Sequence, residues 1–285
     1  MKGYIALGIA AMLVAGGLVN SAISHTEQKS SYQLVTAQTQ EALQDPTDEE
    51  LQYAKATYKP RPLVASPPAV EPIAGKVAYL TFDDGPSENT THVLDTLRNE
   101  HIHATFFVIG TSEPHGQDLM KRIVNEGHAI GNHTYSHNYN KIYQNSSAFR
   151  EDFDRNEALI EQATGVHTTL MRFPGGSNNA VAAQVGGRNI MKKIASEMTH
   201  AGFVYFDWNV SSGDAATNKV PALMIAENVL SQAKGKDKII VLLHDSSSKT
   251  TTTEALPTII QGLRQQGFAF DKVDNQCNSY QFTKP

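Results

Sequence analysis

From Lys76 onward, short apolar runs alternate with longer segments whose apolar residues recur every three or four positions. The runs at 77–82, 104–109, 129–130, 169–173, 203–208, 239–243 and 268–273 read as buried strands. Between them, 90–100, 117–126, 147–164, 188–200, 221–233 and 254–266 read as helices, four of which run out against Gly127, Gly165, Gly202 and Gly267. Such alternation over roughly 200 residues predicts a parallel α/β fold of about seven strands, either a barrel or a doubly wound sheet. In both, chemistry gathers where strands end.

Upstream of Lys76 the pattern is different. Lys2 precedes an uncharged, largely apolar run at 4–19, and Ala22-Ile23-Ser24 offers a small-x-small cleavage pattern. Residues 1–24 therefore read as a signal peptide or signal anchor, which implies export and, if the segment stays uncleaved, attachment to a membrane. Residues 25–73 are polar, then rich in proline (Pro60, Pro62, Pro67, Pro68 and Pro72), and read as an extended stem. Residues 74–285 remain as the folded domain, expected at the cell surface.

Charge and cysteine narrow the chemistry. The net charge is −5 and no basic run is present, which argues against a nucleic-acid partner. The single cysteine, Cys277, excludes an intrachain disulfide and a thiolate-built metal centre. The eleven histidines are the richer resource.

Polar clusters fall at the ends of the predicted strands. Asp83-Asp84 follow the first, His133-Thr134-Tyr135-Ser136-His137 the third, and Arg172-Phe173-Pro174-Gly175-Gly176 close the fourth. Asp207-Trp208 lie on the fifth, Asp214 follows it, and His244-Asp245 close the sixth. Two adjacent carboxylates at a buried strand end are costly unless a cation or a proton compensates them. His133 and His137, four apart, would share one face of a helical turn and could grip one cation; two solvated loop histidines would show the same spacing. A strand-end aspartate would complete a three-ligand divalent site with a position open for water, and the second carboxylate of the pair would stay free as a general base. Arg172 could orient that free carboxylate, or form an ordinary surface ion pair. His244 is placed as a general acid with Asp214 raising its pKa, although a purely structural histidine would look alike. Trp208, the only tryptophan, is either core or substrate contact.

Five of these motifs, Thr81-Phe82-Asp83-Asp84-Gly85, His133 to His137, Arg172 to Gly175, Asp207 to Asp214 and Leu242-Leu243-His244-Asp245, stand in the order found in the NodB-type polysaccharide deacetylases, carbohydrate esterase family 4, and the chain resembles that family from about residue 76 to 272. In particular it resembles the peptidoglycan N-acetylglucosamine deacetylases of Gram-positive bacteria. The resemblance implies a distorted (β/α) barrel and metal-dependent hydrolysis of N-acetyl groups on a glycan. It implies Asp83 as the catalytic base, Asp84, His133 and His137 as ligands of a divalent metal, usually zinc, and Arg172 as the group positioning the base. It further implies His244 as the general acid tuned by Asp214, a Gly175 N–H at the oxyanion, and Leu242 lining the pocket for the acetyl methyl.

Two positions depart from the family pattern. Gly175 stands where an aromatic usually follows the motif proline, and Ala215 where one follows the tuning aspartate. Both changes predict a more open site. Chitin-like oligomers, poly-N-acetylglucosamine, O-acetyl esters on xylan-type glycan and a non-catalytic wall-binding role are the alternatives to peptidoglycan deacetylation.

Overall fold

The structure, a computed structural model, describes residues 75–285 except 276 and 278. The expected signal or anchor segment (1–24) and stem (25–73) lie outside the described residues. Among the described residues no helix is long and apolar enough to cross a membrane.

The strands are β1 (Lys76–Asp83), β2 (Thr105–Val108), β3 (Ala129–Asn132), β4 (Leu170–Met171), β5 (Val204–Tyr205), β6 (Val210–Ser211), β7 (Lys238–His244) and β8 (Phe268–Asp271). All pairings are parallel, in the order β5-β4-β3-β2-β1-β7-β6. β1 is central: β7 runs along its whole length, while its other edge is shared by β8 at the start and β2 at the end.

The predicted strand at 203–208 is interrupted rather than continuous. β5 pairs with β4 on one margin of the sheet and β6 with β7 on the other, and only residues 206–209 separate them. Phe206 N donates to Met171 O at 3.0 Å, and Asn209 N donates to Ile240 O at 3.2 Å. The stretch therefore crosses from one margin to the other and closes a distorted barrel of seven strand positions, as the resemblance implied. β4 is only two residues long, and the chain leaves it at Phe206 to reach β7, so the strand breaks.

Alternation along the strands sorts side chains to two sides. Ala78, Leu80 and Phe82 of β1, Phe106 and Val108 of β2, and Val241 and Leu243 of β7 pack outward against helices. Tyr79, Phe107, Leu170, Phe206 and Ile240 fill the barrel interior. Fully burying each such large apolar side chain contributes about 1.5–3 kcal/mol. The outer helices are α1 (Glu88–Asn99), α2 (Pro114–Asn125), α3 (Tyr139–Ile142), α4 (Ser146–Thr164), α5 (Ala180–Gly186), α6 (Ile190–His200), α7 (Ala222–Ala233) and α8 (Thr250–Gln265). α3 and α5 are too short to show a periodicity in the sequence.

Helix ends are fixed by local chemistry that also serves the site. Ser87 Oγ accepts from Asn89 N at the start of α1, while Thr90 Oγ1 accepts from Ser87 N and donates to Asp245 Oδ2 at 2.6 Å. One cap thus ties the β1 turn to the end of β7.

Candidate active site

β1 ends on two carboxylates that the backbone sends in different directions. Asp83 belongs to the strand, whereas Asp84 turns to φ +69° before the cis Gly85-Pro86 bond. Four non-glycine residues among those described have positive φ, and three of them, Asp84, Thr134 and His137, lie here. Left-handed backbone costs an L-residue about 1–2 kcal/mol, and concentration at one place marks a functional constraint.

Arg172, at the end of β4, is completely buried, and every side of its guanidinium is occupied. Nε donates to Phe206 O at 2.7 Å, Nη1 to Thr81 Oγ1 at 2.7 Å and Asp83 Oδ1 at 2.8 Å, and Nη2 to Asp207 O at 3.2 Å. Its charge also lies 4.3 Å from the Phe107 ring centroid. A buried cation so bonded is fixed in space. The sequence left a surface ion pair open as a reading of Arg172, and burial removes it. Asp83 Oδ1 is thereby engaged, while Oδ2 lies 3.7 Å from His133 Nε2.

Asp84, His133 and His137 converge on one point. Asp84 Oδ1 is 3.5 Å from His133 Nε2 and 3.2 Å from His137 Nε2, and one ligand atom from each residue lies within 4.8 Å of the others. The two histidines do not share a helical face, as their spacing predicted. β3 stops at Asn132, and the segment 133–138 is a loop whose left-handed Thr134 and His137 swing both rings inward.

A divalent cation fits this set. Asp84 Oδ1 is buried without a hydrogen-bond partner, a cost that a cation would remove. His133 Nδ1 lies 2.8 Å from Arg172 O, so the tautomer that donates there leaves Nε2 as a lone pair toward Asp84. Burial pushes His133 down to about 4, which keeps it neutral, as a ligand must be. Burial would raise Asp84, but the His137, His244 and His133 rings outweigh it and lower it to about 2.

His244 closes β7 directly beside Asp83 in register. Its Nδ1 is 2.8 Å from Asp214 Oδ1, and its backbone N–H donates to Asp214 Oδ2 at 2.8 Å. Burial alone would lower the imidazole, but the charge and hydrogen bond of Asp214 prevail and raise it to about 9. Asp214 is itself lowered by His244 against the opposing effect of burial. Thr252 Oγ1 donates to Asp214 Oδ2 and the buried Lys249 Nζ to Asp214 O, so the turn carrying the aspartate is pinned from α8.

The remaining predicted residues are Leu242, Gly175 and Trp208. Leu242 is buried two residues before His244, on the same face of β7. Gly175 does not leave the floor open as expected. A Cβ there would meet Asn179 Nδ2 at 2.6 Å and Tyr139 Oη at 2.8 Å, so the space is already taken. Tyr139 stands next to the histidine loop, its ring 5.3 Å from that of His137. Ala215 is exposed. Trp208 is half-buried and touches Phe282 edge-on, with ring centroids 5.1 Å apart.

Sequence reading missed the residues that hold the histidine loop. Asp152 Oδ1 accepts from both Tyr135 N and Ser136 N at 2.8 Å. Asn132 Oδ1 accepts from Thr134 N at 2.9 Å and from Asn156 Nδ2 at 3.0 Å, and Asn132 Nδ2 donates to Glu157 Oε2 at 3.1 Å. Burial raises Glu157 to about 7, partly offset by the Asn132 and Thr168 hydrogen bonds. A signal was present: Asp152, Asn156 and Glu157 interrupt the otherwise apolar stripe Phe149, Phe153, Ile160 of α4. Asp245 is a further buried carboxyl, raised by burial to about 7, and lies against Gly85.

Comparison with known proteins gives a consistent answer. The polysaccharide deacetylase family profile matches residues 70–193. A peptidoglycan-N-acetylglucosamine deacetylase of Bacillus cereus is 36% identical over 200 residues, covering 69% of this chain and 68% of that protein. The catalytic domain of peptidoglycan N-acetylglucosamine deacetylase from Eubacterium rectale superposes with a TM-score of 0.71 at 34% identity, over 78% of this chain and 98% of that one. The polysaccharide deacetylase Bc1974 from Bacillus cereus gives a TM-score of 0.62 at 33% identity, over 72% and 96%.

Proposed function

The chain belongs to the polysaccharide deacetylase family, and from that premise we propose that it is an exported, zinc-dependent enzyme that removes N-acetyl groups from peptidoglycan N-acetylglucosamine. The observation that carries the reading is the division of labour within Asp83-Asp84. Asp83 is tied to a fully buried arginine, and Asp84 Oδ1, without a hydrogen bond, faces two imidazoles.

Asp84, His133 and His137 would hold the cation, and one carboxylate with two imidazoles suits zinc. When bound, the ion supplies a more acidic water and polarises the acetyl carbonyl. Asp83 accepts the proton of the attacking water, with Arg172 fixing the direction of its carboxylate. The Gly175 N–H donates to the oxyanion as the carbonyl becomes tetrahedral. His244, protonated below about pH 9, gives its proton to the departing sugar nitrogen, and the C–N bond breaks to acetate and a free amine. Leu242 lines the wall against the acetyl methyl.

Residues 1–24 as signal or anchor and 25–73 as stem would hold domain 74–285 against the wall polymer. The test is acetate release by the full chain from purified peptidoglycan and from N-acetylglucosamine oligomers, metal-stripped and zinc-restored, beside Asp83→Asn. Zinc-dependent release that disappears in the variant supports the reading. No release from either substrate by zinc-loaded protein overturns it.

A further inference from the structure

Among the described residues, the large apolar side chains that stand exposed are Leu223, Met224, Tyr280 and Phe282. The last two lie on a segment outside any helix or strand, and its backbone is nonetheless held. Asp207 N donates to Tyr280 O at 2.8 Å, Phe282 N to Asp207 Oδ2 at 2.8 Å, and Thr283 N to Ser177 Oγ at 2.9 Å. The same buried Asp207 carboxylate accepts the N–H and hydroxyl of Ser177, at 2.8 and 2.5 Å. The C-terminal segment is thus bound both to the loop after Arg172 and to the stretch that closes the barrel. A structural strap needs those backbone bonds; it does not need two aromatic rings facing water.

The rings make a stepped wall. Phe282 meets Trp208 at 86°, and Tyr280 meets Phe282 at 89° with centroids 5.7 Å apart. The wall begins at the catalytic loop: a Cβ on Gly176 would lie 3.0 Å from Trp208 Cη2 and 3.4 Å from Phe282 Cε2. Gly175 precedes it, and Tyr139 and His137 follow on the far side.

We infer that Trp208, Tyr280 and Phe282 form a subsite for a neutral pyranose ring of the glycan chain, beside the residue that loses its acetyl group. The inference rests on the deacetylase reading and extends it to recognition of the polymer. A pyranose offers an apolar C–H face with hydroxyls around its edge, and flat amphipathic rings match both, the Tyr280 hydroxyl serving the edge. All three side chains are uncharged, and the wall is continuous with the catalytic mouth. A sugar of the same chain therefore fits it better than a separate charged ligand.

Two measurements test this with the zinc-loaded full chain. In Phe282→Ala and Tyr280→Ala, the ratio of kcat/KM on the N-acetylglucosamine pentamer to that on the dimer should fall roughly threefold to tenfold. Phe282→Tyr, which keeps the ring, should preserve the ratio. Trp208 is the only tryptophan, so its emission reports the subsite directly and should shift with the pentamer even where no acetate is released. Loss of activity to the same extent on dimer and pentamer, or collapse of the ratio in Phe282→Tyr, reduces the segment to a strap and overturns the subsite. Hydrolysis with Trp208 emission unmoved and the ratio unchanged also overturns it, while leaving the reaction intact. A pentamer-induced shift without hydrolysis of any N-acetyl glycan keeps the subsite and removes the reaction.

Discussion

His244 can serve as an acid only while it carries a proton, and Asp214 is what keeps that proton on near neutral pH. The imidazole is raised to about 9 against the effect of burial. Activity should therefore fall as pH rises through about 9, and a cation held by Asp84, His133 and His137 would draw this limb lower by like-charge repulsion. Asp214→Asn removes the charge and should move the alkaline limb down by a unit or more, measured as kcat/KM against pH. An unmoved limb would mean another group titrates. Asp83→Asn tests the opposite end of the reaction. It leaves the shape and an oxygen for Arg172 but cannot accept the water proton, so kcat should drop by about 10²–10⁴-fold while zinc affinity changes little. A large loss of zinc from this variant would make Asp83 a ligand instead.

At the scale of elements, the loop from His133 to His137 is the least self-supporting part of the site, because it turns left-handed twice without glycine. α4 supplies the support through Asp152, which takes two successive loop N–H groups. Asp152→Ala should weaken zinc binding about 10–100-fold by titration calorimetry, with both histidines intact. Wild-type affinity in this variant would show that the loop holds its own shape. Gly175→Ala meets Asn179 and Tyr139 at closer than contact distance and at φ +75°, and should cost about 1–3 kcal/mol by denaturant unfolding as well as most of the activity. These two elements also show what could be read in the chain. Strand and helix alternation, and motif residues at strand ends, were legible because burial and period leave a local pattern. The split of the fifth strand was not, since it reflects the shortness of β4 and the place of β7 on the other margin rather than any property of 206–209. The true shape of the histidine loop was hidden for the same reason: Asp152 lies 15 residues beyond His137, and its role exists only once α4 packs on β3. Filling of the Gly175 space by Tyr139 likewise depends on a contact between α3 and the loop after β4.

For the molecule as a whole, buried ionisable groups set how stability depends on pH, and their signs can be followed one by one. His128 and His133 are each lowered to about 4, chiefly by burial, so the unfolded chain binds their protons first and stability grows as pH rises from 4 to 6.5. Glu157 and Asp245, raised by burial to about 7, act in the opposite direction, since the folded state holds their protons longer and stability declines as pH rises from about 4 to 7. These two pairs offset each other over the acid range. Above pH 7 His244 is left: raised to about 9, it contributes stability that is full below about 6.5 and lost as pH climbs through 9. The metal-free protein should therefore show a melting temperature that changes little between pH 5 and 7 and falls between 7 and 9, by an amount worth about 1–3 kcal/mol. His244→Gln should flatten that fall, because the neutral amide has no proton to lose. Zinc should raise the melting temperature by mass action across the range where His133 is neutral. A decline above pH 7 that persists unchanged in His244→Gln would place the responsible proton elsewhere, and with it the assignment of the general acid.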